Sequence, residues 1–518
     1  ASGTAGLSGS NGSIGYNGPI LSLNQINIVQ YNQLLTSPGI IDITPSKVKV
    51  NNSISITGVN FSASDQVILG GTTLIPSFNN INGNQIHTVS IPDIGGGFHS
   101  VLVKNTSLNS SNVTQCYILP NILSLSQTRV KPGQNILIQG NGFTPNYKVY
   151  LNNEQVATNY VDKNSISFTI VRPNSLTLNA DGEIIDVKLR DNYNNDSNLV
   201  QITLDTYRIY FLGDSIMAGQ GHSEDRMFSE LISRHLQSQH SDIGVYYTNQ
   251  AHSGATIESD TANNYSNLDK EIPRSFPSIK SQLNSIINNN SIINQNVEHI
   301  ILDGGINDME IMTFLKPSIS NQELATRLVQ ITNLAEQYAY GSMKQLLTKI
   351  GQNFPSTNVI VVGYFQVISN KSVAMKLISD YLFYHVAPFL PIGQSIPMLT
   401  GFTFSTVVKQ CQHAKDELNR CNLRAVVEVN AAFSTNRFKF VIPNFTEDNA
   451  LFAPDSFLWG FDIFGDVEDP LKSRRDNVCV HPVLQANSDD KTFCRMASVG
   501  HPNNKGIQEY FNTISSIM

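Results

Sequence analysis

Two hydrophobic patterns divide the chain. Between residues 40 and about 205, apolar and polar residues alternate in short runs that are separated by glycine, asparagine and proline. This alternation predicts small antiparallel β-sandwiches. From about residue 206, apolar runs such as "YRIYFLGDS" and "VEHIILDGG" alternate with segments whose apolar residues have helical spacing. This second part is predicted to be an α/β domain, a parallel sheet with helices on both faces and ligands at the carboxyl ends of the strands.

An internal repeat lies within the first part. Residues 40–69 align without a gap to a second run that lies 82 positions later along the chain. In this alignment Gly58 matches Gly140, and Phe61 matches Phe143. Two sandwich domains of about 80 residues each are therefore predicted, at residues 39–119 and 120–205, before a third domain at residues 206–518.

The second copy carries a recognisable opening. Its sequence "ILSLSQTRVKPGQNILIQGNGF" resembles the start of an IPT/TIG domain, an immunoglobulin-like module, and the first copy matches the same pattern more loosely. The resemblance implies spacers or binding surfaces. Neither copy clusters histidine and acidic residues in a way that suggests chemistry.

Residues 1–38 form a stem of a different composition. Glycine occupies every third position from residue 3 to residue 18, as a collagen triple helix requires at its crowded axis. Pro19 is the only proline nearby, so a flexible Gly/Ser linker is the alternative. If the collagen-like interpretation holds, the protein is a homotrimer.

Charge and hydropathy exclude several classes of partner. The formal net charge is -7, so no basic surface is available to neutralise phosphates, and no nucleic-acid partner is expected. No apolar stretch approaches the roughly 20 residues of a membrane span. Neither a metal-ligand spacing nor a nucleotide-binding glycine loop is present, so no metal or cofactor is expected.

The five cysteines bear on the compartment. Two local disulfides are predicted, one pairing Cys411 with Cys421 and the other pairing Cys479 with Cys494, which leaves Cys116 free. The alternative is buried free thiols. Disulfides predict an oxidising environment and a protein that is secreted or displayed on the surface of a cell or virion.

The segment "FLGDSIMAGQG", residues 211–221, ends a predicted strand at Ser215. A serine at this position can be an ordinary helix N-cap or a nucleophile. The Gly-x-Ser-x-Gly elbow of the α/β-hydrolases is absent from the chain, so any role as a nucleophile must depend on other motifs.

Four motifs in order resemble those of the SGNH (GDSL) hydrolase superfamily. The first is "GDSIMAGQG" with Ser215, and "NQAHSGAT" follows with Gly254. The third is "GGIND" with Asn307, and "ASVGHPNNKG" with His501 is the last. The resemblance covers residues 206–518 and implies a three-layer α/β fold with a parallel sheet.

This resemblance also implies a site and a reaction. Ser215 is the expected nucleophile and His501 the general base that takes its proton. The backbone N–H groups of Ser215 and Gly254 and the side-chain amide of Asn307 are the expected oxyanion donors. The predicted function is a serine esterase or lipase that cleaves acyl or acetyl esters of a lipid or glycan.

One position departs from the family pattern. Most members carry an aspartate three residues before the catalytic histidine, where this chain has Ser498. Four substitutes are open: a backbone carbonyl near Ser498, the carboxylate of Asp489 or Asp490, a different base, or a carboxylate distant in sequence. The different base would be His481 with Asp476, but only His501 is followed by Pro-Asn and a downstream glycine.

Two further interpretations compete with an enzyme. The missing aspartate could mark a catalytically weak or inactive domain that binds a glycan or lipid without cleaving it. Alternatively, the chain could be an adhesin or fibre component with an unused hydrolase fold. The complete set of Ser215, Gly254, Asn307 and His501 argues against both.

Overall fold

The structure is a computed structural model, and it describes the following parts of the chain: residues 37–81, 84–174, 176, 182–240, 242–259, 270–273, 277–289, 297–373, 402–460, 469–479 and 494–518. The collagen-like segment and His481, Asp489 and Asp490 lie outside these residues. Two compact units are present, and the main division falls at residue 204.

The first sandwich is built from nine strands. They are β1 (Gly39–Thr44), β2 (Lys47–Lys49), β3 (Ser53–Val59), β4 (Gln66–Leu69), β5 (Thr72–Leu74), β6 (Ser77–Ile81), β7 (Asn84–Ser90), β8 (Gly97–Lys104) and β9 (Thr114–Leu119). One sheet has the order β1-β3-β7-β6 and the other has the order β2-β9-β8-β4-β5. Their alternating apolar residues pack into a single core.

Nine further strands form a second sandwich. They are β10 (Asn121–Leu125), β11 (Arg129–Val130), β12 (Asn135–Asn141), β13 (Lys148–Leu151), β14 (Glu154–Val156), β15 (Thr158–Asp162), β16 (Ser165–Thr169), β17 (Glu183–Arg190) and β18 (Val200–Leu204). The sheet orders β10-β12-β16-β15 and β11-β18-β17-β13-β14 reproduce those of the first sandwich strand for strand. The repeat in sequence is thus a repeat in topology.

A glycine and a phenylalanine explain why the repeat is visible in the sequence. A Cβ atom at Gly58 would lie 2.2 Å from the Phe61 ring, and one at Gly140 would lie 2.5 Å from the Phe143 ring. Both rings are buried. Each copy therefore needs a residue without a side chain where the aromatic ring three positions later enters the core.

Parallel strands and helices make up the second unit. The strands are β19 (Tyr207–Leu212), β20 (Val245–Asn249), β21 (Val297–Leu302), β22 (Asn358–Val362) and β23 (Phe438–Val441). The α-helices are α1 (Ser215–Ala218), α2 (Phe228–Gln239), α3 (Ile279–Asn289), α4 (Met312–Leu315), α5 (Asn321–Leu334), α6 (Met343–Asn353), α7 (Phe402–Ala432), α8 (Lys472–Val478) and α9 (Asn504–Ser515). A π-helical segment, Ala335–Ser342, joins α5 to α6, and single 3₁₀ turns occur at Glu224–Arg226 and Glu447–Asn449.

All five strands of this sheet are parallel, in the order β20-β19-β21-β22-β23. Alternate residues of β19, β21 and β22 face opposite cores. Phe211 and Ile301 belong to one apolar cluster, whereas Leu212 and Leu302 belong to the other. Burial on both faces requires helices on both sides, and the predicted fold class is confirmed.

The cysteines correct one prediction. A disulfide joins Cys479 to Cys494, as expected, but Cys116, Cys411 and Cys421 are all free and buried. Cys411 and Cys421 lie on the same helix, α7. Ten residues of α-helix separate two Cα atoms by about 15 Å, more than twice the reach of a disulfide. The predicted Cys411–Cys421 bond is therefore wrong.

None of the helices in the described parts of the chain is both long enough and apolar enough to cross a membrane.

Candidate active site

Loops that follow three neighbouring strands meet at one edge of the parallel sheet. The backbone N–H of His252, after β20, donates to the carbonyl of Gly213, after β19, at 3.1 Å. The N–H of Asp303, after β21, donates to the carbonyl of Leu212 at 3.3 Å. The first three sequence motifs are thus joined by backbone hydrogen bonds at the carboxyl ends of adjacent strands, where open α/β sheets place their ligands.

Ser215 is the first residue of the short helix α1. Asp214 caps this helix, since its carboxylate accepts a hydrogen bond from the Ile216 N–H at 3.0 Å. A Cβ atom at Gly213 would lie only 1.9 Å from Oδ1 of Asp303, so this position admits only glycine. The N–H groups of the first helical turn have no partner within a helix, so the Ser215 N–H is not used in an intrahelical hydrogen bond.

The His501 imidazole reaches the serine from the last motif. Its Nε2 lies 2.6 Å from Oγ of Ser215. The histidine loop pairs with a neighbouring segment, because Trp459 N–H donates to the His501 carbonyl at 2.8 Å and Gly500 N–H donates to the Trp459 carbonyl at 3.0 Å. Asn503 then caps α9 with its side chain. Both flanks of His501 are therefore held by hydrogen bonds.

Burial sets the charge state of this histidine. It lowers the pKa of His501 to about 4, against the opposite effect of the Ser498 and Val499 backbone carbonyls. At neutral pH the imidazole is therefore uncharged and can accept the Ser215 proton.

The second and third motifs are bonded to each other. The Asn307 side-chain amide donates to the carbonyl of Ala255 at 3.0 Å, next to Gly254. The Asp308 carboxylate accepts the Ile257 N–H at 3.0 and 3.1 Å. Gly254 itself has a φ of +78°, a left-handed conformation that favours glycine. One hydrogen of the Asn307 amide remains available beyond its bond to Ala255.

Comparison with known families follows the same division of the chain. Residues 209–382 match the family GDSL-like Lipase/Acylhydrolase. Residues 120–199 match the IPT/TIG domain. The match to the GDSL family ends well before His501, so the role of that histidine depends on its contact with Ser215. A search of curated proteins finds no match to the sequence.

Solved structures give distant likenesses. An extracellular lipase from Streptomyces rimosus is 14% identical, covers 61% of this chain and 100% of its own, and has a TM-score of 0.33. A phospholipase A1 from Streptomyces albidoflavus is 16% identical, with 60% and 99% covered and a TM-score of 0.33. A surface glycan-binding protein from Prevotella bryantii is 16% identical, with 37% and 49% covered and a TM-score of 0.24.

The structure bears on three of the four substitutes for the missing aspartate, whereas Asp489, Asp490 and the alternative base His481 lie outside the described residues. No side chain among the described residues bonds to His501 Nδ1, while the backbone carbonyls of Ser498 and Val499 raise the pKa of the imidazole. Support of the ring by a backbone carbonyl stays a prediction. Asp476 forms ion pairs with Lys472 at 3.0 Å and Arg495 at 3.7 Å instead of approaching the site. Ser498 is buried and bonded to a carboxylate that sequence reasoning did not select, Asp469.

Two more carboxyl groups lie behind Ser215 in the GDSL domain. Asp214 and Asp303 are both buried, and the Asp214 N–H donates to Asp303 at 2.9 Å. The Tyr364 hydroxyl donates to Asp214 at 2.6 Å. Burial raises the pKa of both carboxyl groups, that of Asp303 further because the Asp214 charge opposes a second ionisation. Only the position of Asp303 at a strand end could have indicated this pair.

Among the described residues, no group of three or more histidine, cysteine or acidic side chains is arranged to hold a metal ion.

Proposed function

We propose that the chain is a serine ester hydrolase whose nucleophile is Ser215 and whose general base is His501. The observation that carries this proposal is the 2.6 Å separation of His501 Nε2 and Ser215 Oγ at the carboxyl edge of the parallel sheet. The match of residues 209–382 to the GDSL family supports an ester hydrolase at the level of reaction class.

The reaction follows from the charge states of the two side chains. Neutral His501 removes the Ser215 proton as Oγ bonds to the ester carbonyl carbon, and the carbonyl electron pair moves onto its oxygen. When the tetrahedral intermediate collapses, the C–O bond to the alcohol breaks and the imidazolium returns the proton to that alcohol. Water then cleaves the acyl-serine by the same steps, with His501 again acting as base.

The oxyanion needs hydrogen-bond donors that are fixed before the reaction. The Ser215 N–H lies at the start of α1, and the Gly254 N–H and the Asn307 amide lie in the loops bonded to it. Donors that are held by the fold do not have to reorganise as negative charge develops on the ester oxygen. Each such donor therefore typically increases the rate by a factor of about 10²–10³.

The substrate is proposed as a carboxylic ester of a lipid or a glycan, and the acyl length is left to experiment. We further propose that the protein is secreted, since the Cys479–Cys494 disulfide persists in oxidising compartments. Surface display and a trimer formed through residues 3–18 stay predictions. Light scattering of the full chain tests the trimer, and a monomer would leave only the linker interpretation.

Hydrolysis of p-nitrophenyl acetate and butyrate tests the reaction. Ser215→Ala and His501→Ala should each lower kcat/KM by at least about 10³-fold. The double variant should have a kcat/KM similar to that of either single variant, because the two groups act as one unit. Ser223→Ala and His235→Ala are matched controls, whose side chains make only local hydrogen bonds, and they should keep wild-type rates. Wild-type turnover by Ser215→Ala would contradict the proposal and favour a binding protein.

A further inference from the structure

Within the described parts of the chain, the base of the proposed hydrolase has no charged group bonded to its second ring nitrogen. No side chain among the described residues bonds to His501 Nδ1, and the Ser498 and Val499 carbonyls that raise its pKa carry no formal charge. An imidazole that takes a proton from serine becomes a cation, and a nearby negative charge normally stabilises that cation and fixes the ring. The question is which group supplies this charge in a chain that carries Ser498 three residues earlier.

Ser498 contacts both the histidine and a buried carboxylate. The His501 N–H donates to the Ser498 carbonyl at 2.9 Å. The Ser498 hydroxyl donates to Oδ2 of Asp469 at 2.6 Å and accepts a hydrogen bond from Nη2 of Arg475 at 3.0 Å. The side chains of Asp469 and Arg475 are 3% and 1% exposed, and they form an ion pair of 2.6 Å. A charge pair buried to this degree needs all of its partners, because each loss leaves an unpaired charge away from water.

This cluster also contacts the loop that follows the nucleophile. Arg475 donates to Glu271 at 2.8 Å, and the Glu271 carboxylate accepts the Gly221 N–H at 3.1 Å. A Cβ atom at Gly221 would lie 3.1 Å from the Cβ of Asp469 and 3.2 Å from the Cβ of Ser498. The cluster is thus packed between the serine loop and the histidine loop.

The charges of the cluster act on His501 in opposite directions. Arg475 lowers the pKa of the imidazole, and Asp469 raises it. Without Asp469, a developing imidazolium would face the guanidinium of Arg475 with less negative charge to offset it. Asp469 therefore has an electrostatic as well as a mechanical effect on the base.

We infer that Asp469 is the positioning residue for His501, acting through Ser498 and by offsetting the charge of Arg475. The inference rests on the proposed function, because it assigns the support of the base in that reaction. Asp469 lies 32 residues before His501 in the sequence, instead of three.

A relocation experiment tests this assignment. Asp469→Asn should lower kcat on p-nitrophenyl butyrate by about 10- to 100-fold with little change in KM, the range found when the outer partners of metal-ligating histidines are removed. The double variant Asp469→Asn/Ser498→Asp returns a carboxylate to within reach of Arg475 and should recover most of that loss. Complete labelling of Ser215 by a fluorophosphonate counts the folded sites, so that kcat is expressed per competent molecule.

The controls separate a positioning role from simple damage to the fold. Asp455→Asn removes an exposed carboxylate that pairs with Lys505, and it should leave kcat unchanged. Should Asp469→Asn fail to fold, Ser498→Ala tests the same link, and its kcat should fall by about 10-fold. In that case the double variant should still be more active than Ser498→Ala.

Three results would overturn the assignment. The first two are a wild-type kcat in Asp469→Asn and a wild-type kcat in Ser498→Ala. The third is a double variant whose kcat is no higher than that of Asp469→Asn, although its Ser215 is fully labelled. Each of these leaves the proposed function standing if Ser215→Ala is inactive. Full activity of Ser215→Ala would instead remove the proposed function itself.

Discussion

Replacing Tyr364 with phenylalanine should destabilise the second unit through the loss of a single hydrogen bond. The Tyr364 hydroxyl donates to Oδ2 of Asp214 at 2.6 Å, and both side chains are fully buried. Burial raises the pKa of Asp214, and this hydrogen bond opposes that larger effect by lowering it. Phenylalanine keeps the shape of the ring and removes only the donor.

The size of the effect follows from the burial of the acceptor. A buried acceptor that loses its donor costs about 1–3 kcal/mol, and no new cavity adds to the loss. We therefore expect the free energy of unfolding to fall by about 1–3 kcal/mol. Because Asp214 also caps the helix that begins at Ser215, a moderate fall in kcat should accompany the loss.

Urea unfolding measured by tryptophan fluorescence is a suitable assay. Trp459 is the only tryptophan of the chain, and at 1% exposure within the second unit it reports on that unit alone. Tyr510→Phe is the matched control, because the Tyr510 hydroxyl is equally buried and has no partner among the described residues. That variant should be neutral or slightly more stable. An equal loss in both variants, or no loss in Tyr364→Phe, would refute the reasoning.

Three further predictions concern the base, the oxyanion donor and the thiols. Since His501 must be neutral to act, kcat/KM should fall as the pH drops through about 4. A fall in kcat/KM already near pH 6.5 would contradict the lowering of the His501 pKa by burial. Asn307→Ala should lower kcat by about 10²–10³ with the fold intact by circular dichroism, and an unchanged rate would exclude its amide as a donor. Denatured, unreduced protein should show three reactive thiols. A single reactive thiol would mean that Cys411 and Cys421 are bonded after all.

The fold could be predicted from sequence because its signals are local and repeated. Gly58 and Gly140 make room for an aromatic ring at the same offset, so the two sandwiches are visible as a repeat. In the parallel sheet, strands buried on both faces form continuous apolar runs. Ser215 and His501 were selected by motifs that lie in loops, and these two side chains lie 2.6 Å apart.

Other features depend on contacts that leave no local trace in the sequence. Asp469 is 29 residues from the serine that it contacts, within a segment that has no catalytic signature. The error on Cys411 and Cys421 has a different cause. Their short spacing in the sequence suggested a bond, but both lie on one continuous helix of 31 residues, which holds the two thiols apart. Secondary structure must be known before cysteine spacing can be interpreted as geometry.

The central claim, that Ser215 is a nucleophile activated by His501, is tested most directly by locating a covalent adduct. After treatment with a fluorophosphonate, tryptic cleavage beside Arg208 and Arg226 should release the peptide of residues 209–226. Fragmentation by mass spectrometry should place the adduct on Ser215 and not on Ser223, and His501→Ala should label far more slowly. Ester hydrolysis that persists with Ser215 unlabelled, or an adduct at another residue, would contradict the claim.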